Sequence, residues 1–166
     1  MLPSIDLRIA NMIKALEQVI LPALPKRERL ARDQANLVIG HLRLLSPQWK
    51  TAVRFEEVTL DLIVGLAERF AEIFTGEQRA RLEAAIASAH AADRRDVLAL
   101  EAAYTVVGNA IDAIILGGED HAPLPQAAVD ALLDYGAVQA LRERAWFKGN
   151  GLDPHAAELP EISAIL

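Results

Sequence analysis

The chain reads as an all-α protein, and three features say so. Hydrophobic residues make up 52% of its 166 residues while aromatics make up only 5%. The apolar share is carried by Ala, Leu and Ile, a helical rather than a sheet composition. Apolar residues recur at three- and four-residue steps in successive segments, and helix start and stop residues fall between those segments. The length fits one domain with a core large enough to need no disulfide. The expected architecture is a single-domain antiparallel bundle of five or six helices over residues 1–151. A tail, 152–166, is either disordered or docked on the bundle or on a second protomer.

Ser4 is placed to cap a first helix, with Asp6 in its first turn and Ile5, Ile9, Met12, Ile13, Leu16 and Ile20 as its apolar stripe. Pro22 and Pro25 stop it. A second helix is expected over 28–45, with centre line Ala31, Ala35, Val38, Leu42 and Leu45, flanked on one side by Gln34 and His41. Ser46 followed by Pro47 predicts the start of a third helix running to Phe74. Two apolar stripes cover that helix, and Glu57, Asp61, Gly65, Glu68 and Glu72 form its solvent face. Glu56 is the exception, lying in a stripe between Val53 and Leu60.

Thr75 and Gln78 have the spacing of a capping box for a fourth, Ala-rich helix whose inward side is Leu82, Ile86 and Ala89. Asp93 and Asp96 suit a fresh helix start, so a tight turn is expected near 92–94, the alternative being one helix through 77–116. The fifth helix, 97–116, is interrupted only by Glu101, Thr105, Asn109 and Asp112. Steps of four, four and three put those polar residues on one stripe, while Val97, Leu100, Tyr104, Val107, Ile111, Ile114 and Ile115 cover most of the rest. Such a helix is expected to be surrounded by protein. Gly117 and Gly118 end it, and a sixth helix follows from Pro125 to Phe147.

With no cysteine, thiolate metal sites and thiol nucleophiles are excluded, and the expected compartment is cytoplasmic. The opening M-L-P-S-I-D-L-R lacks the basic-then-apolar pattern of a signal peptide. A membrane span at 97–116 is not expected, because Glu101 and Asp112 would be costly in lipid. Residues 1–50 carry eight Lys/Arg and four Asp/Glu, a net +4, whereas 51–166 carry nine and nineteen, a net −10. The two parts should attract, and the acidic total argues against nucleic acid as a partner.

A carboxylate-bridged metal site in a bundle needs Glu-x-x-His. The residues three before His41, His90, His121 and His155 are Val38, Ala87, Gly118 and Leu152, so no metal or cofactor is expected. The remaining compact groupings are His90 with Asp93, His155 with Glu158, and the loop cluster Glu119, Asp120 and His121. No Gly-x-Ser-x-Gly occurs, Gly117-Gly118 is not followed by lysine, and no catalytic residue is assigned. The ligand-binding candidates are Gln34, His41, Glu56, Glu101, Asn109 and Asp112. Carboxylates near a histidine in a dry interior would have shifted proton affinities. Each of these residues, however, borders its stripe, where a wet edge or an interface is the cheaper arrangement.

Two basic stretches stand out. Lys26, Arg27, Arg29 and Arg32 could bind an anion, but a solvated helix start or a partner for the acidic half is the expected role. Arg142, Arg144, Trp146, Phe147 and Lys148 could meet a membrane surface, but packing beneath the tail or at a dimer interface is the expected arrangement. The expected function is that of a non-enzymatic interaction protein, a homodimer, because the third and fifth helices are apolar over more of their circumference than a small monomer covers. The alternative is a small-molecule-binding protein or enzyme with an inter-helix pocket lined by His41, Glu56, Glu101 and Asp112.

Overall fold

A computed structural model describes residues 3–117, 123–150 and 153–166. Among these residues the chain is all-α, a bundle of six helices with no strand: α1 (Ile5–Ala15), α2 (Arg29–Gln48), α3 (Ala52–Ile73), α4 (Gly76–His90), α5 (Val97–Leu116) and α6 (Gln126–Trp146). It divides into two compact units. The first comprises Met1–Thr51 and Arg144–Ile162; the second comprises Ala52–Glu143 and Ser163–Leu166.

In the first unit, Ser4 caps α1 as its position predicts, its Oγ accepting from the amide of Leu7 at 3.2 Å. Past Ala15 the helix widens to a π-helical stretch, Leu16–Ile20, before a last turn, Leu21–Ala23. Pro22 follows this stretch and cannot donate to the carbonyl four residues back, which favours the wider pitch. Pro25 likewise cannot bond the carbonyl of Leu21. Arg32 takes that place, its Nη1 donating to the carbonyls of Leu21 at 2.9 Å and Leu24 at 3.1 Å. Arg32 therefore caps the preceding helix through its Nη1, whereas Lys26, Arg27 and Arg29 are exposed.

α2 departs from its expected limits and facing. It runs through Pro47 to Gln48, and α3 begins only at Ala52. Proline in a last turn forfeits one backbone bond, and the Thr51 hydroxyl donates to the carbonyls of Gln48 and Pro47 just beyond it. The buried side of α2 is centred on Ile39, with Ala35 and Leu42 half-buried, while Val38 and Leu45 of the expected centre line are exposed. Asp6 accepts from the indole of Trp49 at 3.0 Å and pairs with Lys50 at 2.8 Å. Glu17 pairs with Arg43, so α1 and α2 run antiparallel as a hairpin.

The rest of this unit is tied down by charge. Arg144 forks onto Asp153, and the Lys148 ammonium bonds the carbonyl of Leu159 at 3.0 Å and the carboxylate of Glu161 at 2.6 Å. Leu159 is buried. The tail described here is docked, and these two cations serve it.

In the second unit α3, α4 and α5 pack closely on one another. Phe70, Leu60, Leu82, Leu100 and Val107 are the large side chains fully sealed from water. Burying each contributes on the order of 1.5–3 kcal/mol. Asp61, Glu68 and Glu72 face solvent as expected. Thr75 precedes α4, but its hydroxyl makes no cap bond. Gly76, at φ 60°, turns the chain sharply at that point, which takes Thr75 out of capping-box geometry. The turn between α4 and α5 falls where expected, with the Asp96 carboxylate accepting from the amide of Leu98 at 2.9 Å.

α5 is not enclosed by protein. Leu100, Ala103, Val107, Ala110, Ile111 and Ile114 are buried, but Glu101, Thr105, Asn109 and Asp112 are exposed, together with Leu98, Val106 and Leu116. The helix is long and apolar enough to cross a membrane by length and composition. Here one side of it packs on α3 and α4. α6 joins through the fully buried Ala128 and Ala131. Further along, it meets the bundle through long side chains, Tyr135, Gln139 and Arg142, a wider spacing that opens clefts beside it.

Candidate functional site

The polar residues of the second unit gather where α3, α5 and α6 meet. Arg142 is 4% exposed. Its Nη1 donates to the Thr59 hydroxyl at 3.1 Å and to the side-chain carbonyl of Gln139 at 3.0 Å. Its Nη2 donates to the carbonyl of Phe55 at 3.1 Å, and its Nε to the carbonyl of Ile165 at 3.0 Å. The guanidinium also lies 4.6 Å from the Phe55 ring centroid. Gln139 passes the network on to Glu143 at 3.1 Å.

A buried cation held mostly by neutral acceptors is strongly desolvated. Burial pulls the Arg142 guanidinium below its ordinary value, while Glu56, Tyr135 and Glu143 push the other way. Glu56 is half-buried, and its carboxyl is raised by burial first and by the charge of Glu101 second, with Arg142 opposing both. The structure thus brings Glu56 and Glu101 close enough to act on each other. The Tyr135 hydroxyl lies 3.3 Å from that of Tyr104. Burial, and then that bond, push the Tyr135 phenol well above its ordinary value, so it stays protonated and neutral.

Tyr104 and Tyr135 also line a cleft of about 310 Å³ whose apolar wall includes Ile63, Leu66, Ile111 and Leu132. Asn109 and Asp112 stand at its polar edge with Thr105. A second cleft, of about 280 Å³, shares Leu66 and Tyr135 and is crossed by the Arg69–Asp134 pair at 3.1 Å.

Of the six residues expected to bind a ligand, Asn109 and Asp112 border the first cleft. Glu56 and Glu101 lie outside its lining, in the electrostatic neighbourhood of Arg142. Gln34 and His41 belong to the first unit, exposed on α2. Among the described residues no group of three His, Asp or Glu side chains is placed to hold a metal. His155 and Glu158 form an exposed pair at 3.3 Å, and Glu119, Asp120 and His121 lie outside the described residues. Sequence reasoning missed Thr59, Tyr104, Tyr135, Gln139 and Arg142 as site residues. The available signals were a threonine inside an apolar stripe and the Gln139/Arg142 spacing of three, one helical turn.

The fold and site define an all-α bundle with a bonded, buried arginine and an adjoining open cleft. The chain matches no family model, no curated protein and no solved structure.

Proposed function

We propose that this protein is a self-associating helical interaction protein whose dimer surface is the exposed apolar face of the α1–α2 hairpin. The observation that carries the reading is a stripe of large apolar side chains left in solvent: Leu30 at 74% exposure, Leu37 at 52%, Val38 at 47% and Leu45 at 45%. At 3.6 residues per turn these four, with Gln34 and His41 among them, span about 100° of α2. α1 adds exposed Ile5 and Met12, and the π-helical stretch after it adds Val19. The Glu17–Arg43 and Asp6–Lys50 pairs join the two arms of the hairpin and fix its antiparallel register. The α2 stripe lies on the side of that helix opposite the buried Ile39.

Large apolar side chains exposed side by side along one helix face mark an interaction surface in soluble proteins. A second copy is the occupant that fits. Two copies meeting through the α2 stripe bury the same residues from each side, as a two-fold contact does. Polar Gln34 and His41 within the seam would set its register, as isolated polar seam residues do in coiled coils.

Light scattering across a micromolar concentration series tests this. The expected result is a dimer for the native chain and a monomer of unchanged helicity for the double variant Leu30→Glu, Leu37→Glu. A native chain that stays monomeric throughout, or a double variant that still dimerises with native strength, overturns the reading.

A further inference from the structure

The cleft between α3, α5 and α6 carries a chemical bias that self-association does not use. Its interior wall is apolar, contributed by Ile63 and Leu66 from α3, Ile111 from α5 and Leu132 from α6. The two paired phenols of Tyr104 and Tyr135 are neutral donors and flat aromatic surface. Among the described residues the one formal charge on the lining is the carboxylate of Asp112, and no Lys, Arg or His lines the cleft. Asp112 and Asn109 have no hydrogen-bond or ion-pair partner among the described residues, so both are free to meet a ligand. Arg142 acts on Tyr135 from nearby, but its N–H groups are engaged with Thr59, Gln139, Phe55 and Ile165.

We propose that this cleft binds a small organic cation, a primary ammonium on an apolar or aromatic body, roughly nine to fifteen non-hydrogen atoms in all, the size a cavity near 300 Å³ admits. The body lies against Ile63, Leu66, Ile111 and Leu132, displacing water from apolar surface. The ammonium donates to the Asp112 carboxylate and the Asn109 side-chain carbonyl at the cleft's edge, where charge-assisted bonds are the stronger kind. The tyrosine rings offer their faces to the cation. An anion of the same size meets the Asp112 charge, with no cation on the lining among the described residues to offset it.

Phenethylammonium, phenethyl alcohol and phenylacetate present one body with a cation, a neutral hydroxyl and an anion, and NMR titration of the full chain separates them. Phenethylammonium should shift the Ile63 and Ile111 methyl resonances and bind about ten-fold more tightly than the alcohol, a ratio set by one charge-assisted contact. Phenylacetate should bind more weakly than either. In Asp112→Asn, with helicity unchanged, the cation should lose its advantage while the alcohol keeps its affinity. Failure of all three ligands to move those methyls, equal affinity for the three, or an undiminished cation preference in Asp112→Asn each overturns the proposal.

Discussion

The Nε of Arg142 donates to the carbonyl of Ile165 at 3.0 Å, so one buried side chain of α6 holds backbone 23 residues further along the chain. Three other acceptors share the same guanidinium, from α3 and from the next turn of α6. Ile165 is itself buried. Among the described residues no buried side-chain nitrogen or oxygen lacks a partner. The arrangement is therefore satisfied only while the tail is in place, and it couples the closing residues of the chain to the α3–α6 contact.

Arg142→Met removes the donor and leaves buried acceptors short. The expected cost is on the order of 2–4 kcal/mol in urea unfolding, the size seen when buried polar groups lose partners. Amide exchange at 163–166 should quicken at the same time. Arg142→Lys should recover only part of this, because an ammonium cannot reproduce a planar fork reaching four acceptors.

Glu56 and Glu101 provide a separable electrostatic test. Burial is the first cause of Glu56's raised carboxyl pKa and Glu101 is the second. Glu101→Gln should therefore move the Glu56 pKa down while leaving it above the ordinary 4.5, read by side-chain carboxyl NMR. The folded state holds the Glu56 proton more tightly than the unfolded state does, so this group favours the fold at pH below its folded pKa and disfavours it above. That contribution is complete below the ordinary 4.5 and is lost as pH rises through the folded pKa, so Glu101→Gln, by narrowing the gap between the two, should make stability less dependent on pH between them.

How much of this the residues announce differs between helices, for physical reasons. Helix existence was legible because apolar period and caps agree: Ser4, Asp96 and the turn near 92–94 all stand as expected. Facing was harder where a helix carries more apolar surface than one neighbour can cover. On α2 the period identifies apolar faces, but not whether the Ile39 side or the Val38 and Leu45 side meets α1. Pro47 was read as a start because its missing amide suits a first turn, yet the same deficit is tolerated in a last one. At the site, the carboxylates were visible as polar breaks in apolar runs. Arg142 was not, since three of its partners are two backbone carbonyls and a hydroxyl, which leave no charge pattern in a sequence. Tyr104 and Tyr135 were hidden for the opposite reason, their rings counting as apolar while their hydroxyls find each other across α5 and α6.

Asp153 governs acid sensitivity in the first unit. Its side-chain bonds to Arg144, reinforced by the amide of His155, hold its pKa at about 2 against an ordinary 3.8. A carboxyl with a depressed folded pKa contributes stability that is complete above the unfolded value and is lost as pH falls through the folded one. The loss should therefore lie between pH about 4 and about 2. In Asp153→Asn that portion of the acid-unfolding curve should flatten, with lower stability than the native chain at neutral pH, measured by thermal unfolding across a pH series. An unaltered curve would show that the pair adds nothing to folding.

His41 bears on the dimer surface directly. It is exposed within the α2 stripe, between Leu37 and Leu45, and has no side-chain partner among the described residues. In a hairpin-to-hairpin dimer an imidazole at that position gives up water for an apolar seam, which costs stability while restricting the registers that can form. His41→Leu should therefore tighten association by roughly ten-fold, the gain of one more apolar side chain buried in place of a polar one. Sedimentation equilibrium gives the dissociation constant. The same substitution should broaden the range of assemblies, because the polar group that selects one register is gone. If dimerisation is unchanged in His41→Leu while Leu30→Glu, Leu37→Glu abolishes it, the interface lies on the Leu30 end of the stripe and stops short of His41. If Leu45→Glu then leaves the dimer intact as well, the seam involves only the first two turns of α2.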